Sequence, residues 1–356
     1  MIFKAEKMVE NLKAISVPLS RSGLAVVVGL LIGALLMLIY GYDPIMGYYW
    51  LFKGAFGSVS EFMETLAFAT PLMLTAITFA VGVKAGLFNI GAEGQMYMGA
   101  IGAVAIGGAI ALPAGIHVAA ATAFAMLLGA LWALPAALLK LWRGVHEVIS
   151  TIMLNWISFW LVTYLAIYHL AEPGRAERTV PALPTARYPV LGATLTAVIF
   201  VSIGLCIVVY ILLWRTKLGY ELRLVGTNPE AARYAGISSW KPVLTSFIIG
   251  GIAAGLAGAS QIIGRPPAWS LYATLGNVAT LGFDGIGIAL IGRNHPIGGI
   301  FAAIFYGGLL HGGRFMEYHV GVCSELVRAI NGIIIITLAI PELLPIIRKF
   351  LKRGVK

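Results

Sequence analysis

Charge is scarce in this chain. Of its 356 residues only 11% are Asp, Glu, Lys or Arg, against 59% hydrophobic, and mean hydropathy is +0.90; a soluble globular domain carries about twice that charge. Cysteine is scarcer still. Cys206 and Cys323 lie in or at the edge of separate apolar stretches, which leaves no basis for a disulfide framework or a thiolate metal cluster and gives each a small apolar role. Catalytic signatures are missing as well. "HEVIS" at 146–150 opens like a zinc-binding H-E-x-x-H but puts Ser150 where the second ligand must stand on the same helix face. No serine occupies a G-x-S-x-G frame. None of the 11 lysines follows a glycine, so the phosphate-cradling G-x-x-x-x-G-K-[ST] loop is absent and ATP hydrolysis by that route would need a partner. No metal site and no cofactor of its own is expected.

What the chain has is apolar runs long enough to cross a bilayer. Ten spans are expected, at 22–40, 65–83, 91–111, 117–139, 147–169, 193–214, 243–263, 277–292, 297–315 and 323–341, in one all-α membrane domain covering 1–356. The first span is too long for a signal-peptide core and has no small-residue cleavage site after it, so it should stay as an anchor. The eighth, "NVATLGFDGIGIALIG", is short, glycine-rich and interrupted by Asp284, the pattern of a broken or re-entrant helix. With both termini inside, 18 of the 25 basic residues fall on the inner side, as cytoplasmic loops require. They include a tail at 1–21, a loop at 215–241 and a basic tail at 342–356. The formal charge of +10 is then explained by an inner surface facing anionic lipid, and nucleic acid is not implied.

Polar residues at membrane depth are the candidates for function. "AGLFNIGAEGQMYMGAIGA" at 85–103 places Phe88, Asn89, Glu93 and Gln95 at the start of a span, with Asn89 and Glu93 four residues apart on one helix face. "EVISTIMLNW" carries Glu147, Ser150, Thr151 and Asn155 as a single polar stripe, which should turn toward the bundle or a water-filled route. Each set reads either as an interhelical polar clamp or as the lining of a solute path. "LFNIG" at 87–91 is echoed by "GFDGIG" at 282–287. With five spans in each half, the two stretches fall in equivalent spans, and an internal repeat would set Asn89 and Asp284 at related sites.

The 215–241 loop contains a helix-start signature, Asn228 as N-cap with Pro229 at the first position, and Gly236 placed to end the helix two turns later. Ala231, Ala232, Tyr234 and Ala235 give that helix a small-residue surface flanked by Glu230 and Arg233, open to a second protein or to the chain's own membrane face. On the other side, 171–189 holds four prolines and should be stiff. Its Arg175, Arg178 and Arg187 run against the charge trend, and they serve either local pairs with Glu172 and Glu177 or a docking carboxylate surface.

Taken in order, "GLFNIGAEGQMYMGA", "EVISTIMLNWI" and "LGYELRLVGTNPEAARYAGI" at 218–237 resemble the permease subunits of bacterial ABC importers, in the branched-chain amino acid and simple-sugar permease family and nearest its nucleoside branch. The resemblance runs from about Asp43 to Pro341. It implies a pore subunit in the bacterial cytoplasmic membrane working by alternating access. It also implies a second permease, ABC ATPase subunits that hold ATP and Mg, and an extracytoplasmic solute-binding protein. By that resemblance 228–236 is the helix that seats in the ATPase. The competing expectation is an ion-coupled secondary transporter using Glu93, Glu147 and Asp284.

Overall fold

Runs of Leu, Ile, Val, Ala and Gly without interior charge can satisfy their backbone only within helices when water is excluded, and helices dominate the computed structural model, which describes residues 26–353 and side chains to 338. They are α1 (Val26–Ile39), α2 (Pro44–Phe56), α3 (Val59–Lys84), α4 (Ala92–Gly107), α5 (Ile116–Arg143), α6 (Glu147–Tyr168), α7 (Val198–Arg215), α8 (Lys217–Thr227), α9 (Pro229–Tyr234), α10 (Trp240–Ile262), α11 (Leu281–Ile291), α12 (Pro296–Val320) and α13 (Ser324–Arg353). Six of them, α3, α5, α6, α7, α10 and α12, are long and apolar enough to cross a membrane, while α1 and α11 are shorter apolar helices. The protein is an all-α, multi-pass membrane protein. The only strands among the described residues pair as two short hairpins, β1 (Ala171–Glu172) with β2 (Arg175–Thr179) and β3 (Val190–Gly192) with β4 (Leu195–Thr196).

Each expected span coincides with a helix, but several boundaries move. The sixth begins at Val198 and not 193, because 190–196 forms the second hairpin. The helix of the tenth continues to Arg353, so the backbone of 342–353 is helical. The 1–21 tail lies outside the described residues. Helices α2 and α8 were not anticipated: the first sits in what read as a connection, the second is a polar helix next to the expected α9. Cys206 is buried in α7, whereas Cys323 is exposed, so the buried apolar role expected of it does not hold.

The described residues of Met1–Gly54 and Gly312–Lys356 form one compact unit and Ala55–His311 a second. In the first, Trp50 of α2 stacks on His319 of α12 with centroids 3.6 Å apart. In the second, α3 and α10 form the core: 83% and 72% of their apolar windows are buried, against 28% for α6 and 33% for α7. Helix α10 packs on α3, α4 and α5. It does so at backbone distance, since a Cβ on Gly255 would collide with the Ala125 carbonyl and stand 2.9 Å from the Met126 Cα, the close approach that small residues permit between membrane helices. The faces of α6 and α7 that this leaves outward are apolar, with Trp156, Trp160, Phe200 and Val208 each more than half exposed.

Candidate functional site

Helix α3 ends at Lys84, Gly86 turns the chain with φ +73°, and residues 87–90 run without helix until α4 begins at Ala92. A helix that starts inside the protein must find partners for its first N–H groups. Asn155 of α6 supplies one of them. Its Oδ1 accepts the Gly94 N–H at 2.9 Å, and its Nδ2 donates to the Ile90 carbonyl at 3.0 Å. Gly94 is required here, because a Cβ would stand 2.8 Å from that Oδ1. Glu147, at the start of α6, accepts the Phe88 N–H at 3.2 Å and the Lys140 ammonium at 2.7 Å, joining α5, α6 and the 85–91 stretch. Ser150 and Thr151 donate back to the Glu147 carbonyl. The polar stripe of α6 therefore turns inward, while Ile149, Met153 and Trp156 face outward.

Glu93 performs the matching task for α11. Its Oε1 accepts the Thr280 N–H at 2.6 Å and the Tyr97 hydroxyl at 2.5 Å, and its Oε2 accepts the Gly282 N–H at 2.7 Å. A negative group at a helix N-terminus is favoured by the unpaired amides and the macrodipole. Residues 263–280 reach this point without regular helix, and α11 is only 11 residues long, so the eighth span is a broken one. Asp284, one turn into α11 and half-buried, faces the Tyr306 hydroxyl. The second echoing stretch thus meets the start of α4 at Glu93. Tyr97, Thr280, Gly282 and Tyr306 were missed; the i, i+4 spacing of Glu93 and Tyr97 was a usable signal, while the two amides carry none in side-chain identity.

Asn89 and Gln95 complete the cluster. The Asn89 Oδ1 accepts the Gly91 N–H at 2.9 Å and the Gln95 Nε2 at 3.4 Å. Its Nδ2 and the Gln95 Oε1, one donor and one acceptor, are buried without a partner. Phe88 is 49% exposed and meets Phe79 edge to face.

At the end of the bundle where α3 finishes, α8 and α9 lie outside the apolar core. Asn228 caps α9 by accepting the Ala231 N–H at 3.0 Å, and Gly236 ends it with φ +74°. Tyr234 is 94% exposed, and Glu230, Ala231, Arg233 and Ala235 are exposed around it. Ala232 is fully buried against the chain itself, so it does not belong to the outward face of this helix. Inside, the Trp214 ring of α7 is approached by Lys84 and Arg223 and packs on the His295 ring at 4.6 Å. The His295 Nδ1 in turn accepts the first N–H groups of α12.

The opposite end carries the hairpins. Arg178 donates to Glu172 at 2.5 Å, and that bond, with the charges of Arg178 and Arg175, holds the Glu172 carboxyl below the usual carboxylate range. Arg175 is exposed. Arg187 donates to the Ala182 carbonyl at 2.8 Å and lies over the Trp269 ring. The 171–189 segment is pinned to 269–273 by the Thr179 to Leu271, Ala182 to Trp269 and Ala273 to Glu177 backbone bonds, and to the residue that caps α10 by Tyr188 to Ile263. Among the described residues no group of three or more His, Cys, Asp or Glu side chains could hold a metal ion.

Comparison with known proteins places these features. The chain is 36% identical over 337 residues to the guanosine ABC transporter permease protein NupP of Bacillus subtilis, covering 93% of this chain and 95% of that one. It is 32% identical over 330 residues to the nucleoside ABC transporter permease protein NupB of Lactococcus lactis, covering 89% of each. It is also 32% identical over 333 residues to the glucose ABC transporter permease protein TsgB13 of Haloferax volcanii, covering 90% of this chain and 86% of that one. No solved structure matches. Residues 62–339, from the first turn of α3 into α13, match the family described as branched-chain amino acid transport system / permease component, and the chain belongs to that family.

Proposed function

We propose that this chain is the pore subunit of an ATP-driven ABC importer that moves a nucleoside inward across the bacterial cytoplasmic membrane by alternating access, with both termini cytoplasmic. The observation that carries the reading is its similarity along nearly the whole length to two permeases named for guanosine and nucleosides. The similarity to a glucose permease makes the solute the point to test. ATP and Mg are held by separate ATPase subunits, a second permease completes the pore, and an extracytoplasmic solute-binding protein delivers the cargo.

In this reading the path runs where the two broken helices meet. Phe88, Asn89, Glu93, Gln95, Glu147, Ser150, Asn155 and Asp284 frame it. The unpartnered Asn89 Nδ2 and Gln95 Oε1 support it most directly: a buried donor and a buried acceptor left unpaired are unfavourable unless something polar engages them, and a nucleobase edge carries both donors and acceptors. Asn228, Glu230, Ala231, Arg233, Tyr234, Ala235 and Gly236 form the ATPase-coupling helix, with Ala232 packing it onto the permease. Arg175, with Arg178 and Arg187 behind it, serves the binding protein. The test is uptake of radiolabelled guanosine by cells with the gene deleted and restored, competed with unlabelled nucleosides, purine bases and glucose. Restored uptake competed by nucleosides and not by glucose supports the reading; competition by glucose alone overturns the nucleoside assignment.

A further inference from the structure

The end of α8 and the α3–α4 connection are far apart in sequence, yet they meet backbone to backbone at two glycines. A Cβ on Gly226, near the end of α8, would collide with the Lys84 carbonyl oxygen and stand 2.6 Å from the Gly86 amide nitrogen. A Cβ on Gly86 would stand 3.0 Å from the Gly226 Cα, and Gly86 also has φ +73°, a conformation other residues reach only with strain. Neither position has room for a side chain.

A second, independent feature ties the same elements. The Trp214 ring has the Lys84 ammonium 5.9 Å and the Arg223 guanidinium 5.6 Å from its centroid, so one aromatic side chain of α7 gathers the end of α3 and the body of α8. Gly219 seats the start of α8 equally closely, since a Cβ there would collide with the Leu212 carbonyl of α7. Helix α8 is therefore held at both ends and directed at residues 84–86. Two residues beyond Gly86 the Phe88 N–H is held by Glu147, and beyond that lies the Asn89–Gln95 cluster. A displacement of α9 has a short route of tightly packed backbone into that cluster.

We propose that the Gly86–Gly226 contact is the transmission point between the ATPase-docking helix and the solute path, with Gly226 a positioning residue for coupling and not for docking. This rests on the reading of 228–236 as the docking helix. Gly226→Ala inserts a methyl group between the two backbones, whereas Gly204→Ala is the matched control, because a Cβ at Gly204 meets nothing within 4 Å.

The experiment is purification of the tagged permease with its partner subunits, reconstitution in liposomes with the binding protein, and measurement of guanosine transported per ATP hydrolysed. The expected result for Gly226→Ala is ATPase retained at wild-type stoichiometry, ATP still hydrolysed, and transport per ATP lower by roughly 5- to 150-fold, the range that forced overpacking produces. Gly204→Ala should match the wild type. If Gly226→Ala fails to accumulate in the membrane, Trp214→Leu, which loosens the same junction without wedging it, must show the same loss of transport per ATP. An unchanged ratio in the variant that accumulates overturns the proposal. Loss of the ATPase from the Gly226→Ala complex also overturns it, since the contact would then serve docking alone. Failure of the docking reading itself shows separately, as full ATPase retention when Arg233 and Tyr234 are altered.

Discussion

Glu93→Gln removes one oxygen from a carboxylate that holds the start of α11, and the structure sets the size of the effect. Three hydrogen bonds converge on Glu93, from Thr280 N–H, Gly282 N–H and the Tyr97 hydroxyl. A glutamine retains one acceptor and presents an NH2 group where the other stood, so one backbone amide loses a charge-assisted bond and faces a second donor. A hydrogen bond to a charged group contributes about 1.5–3 kcal/mol, which corresponds to roughly 10- to 150-fold in the fraction of time the α11 end is open. Mutation at this buried site cannot be absorbed by a side-chain swing, because Gly282 packs directly against the Glu93 backbone. Hydrogen exchange measured by mass spectrometry on peptides covering 278–286 should accelerate by that factor, with α7 unchanged. Guanosine uptake should fall with it. Wild-type exchange at 278–286 together with lost uptake would refute the reasoning, since the carboxylate would then serve the solute and not the helix.

At the proposed coupling helix, Arg233→Glu combined with Tyr234→Ala should reduce ATPase co-purification while leaving membrane accumulation intact, because both side chains are exposed; retention at wild-type stoichiometry would remove 228–236 as the docking surface. Ala232→Trp should instead lower accumulation, since its site is filled by the chain itself and overpacking costs about 1–3 kcal/mol. Arg175→Glu with Arg178→Glu should weaken binding-protein docking at low salt and less so at high salt; equal affinity at low salt would end the role given to that hairpin. The Glu172 carboxyl is depressed in the folded hairpin, so its stabilising bond to Arg178 is fully present above the unfolded value of about 4.3. It is lost as pH falls below that value through the lower folded one. Exchange protection at 171–179, corrected for the intrinsic rate, should be flat from neutral pH to about 5 and fall only below it, whereas loss complete by pH 6 would contradict the pairing.

Helix placement was legible because hydrocarbon-length apolar runs leave few other options. The capping chemistry of Asn228, Pro229 and Gly236 fixed α9 almost to the residue. The polar stripe Glu147–Asn155 was legible as inward-facing for the same reason of periodicity. Its partners were not, because Asn155 and Glu147 engage backbone groups at Ile90, Gly94 and Phe88, and backbone amides look alike in every sequence. Glu93 shows the same limit: its residue type marked a candidate position, but its backbone amide partners lie 187 and 189 residues away. Ala232 was read as outward from composition, when a six-residue helix resting on the chain must bury one side. Helix α2 escaped notice because its aromatic residues and Lys53 resemble a membrane-interface loop.

The central claim is that transport is driven by ATP on partner subunits and not by an ion gradient across this chain. The direct measurement is guanosine uptake into proteoliposomes containing the complete complex, with the binding protein and guanosine outside and either ATP–Mg or an imposed proton or sodium gradient as the energy source. The account predicts uptake that requires enclosed ATP–Mg, requires the binding protein, and persists when ionophores collapse both gradients. Uptake driven by a gradient without ATP would contradict it and would return Glu93, Glu147 and Asp284 to the role of ion-coupling sites.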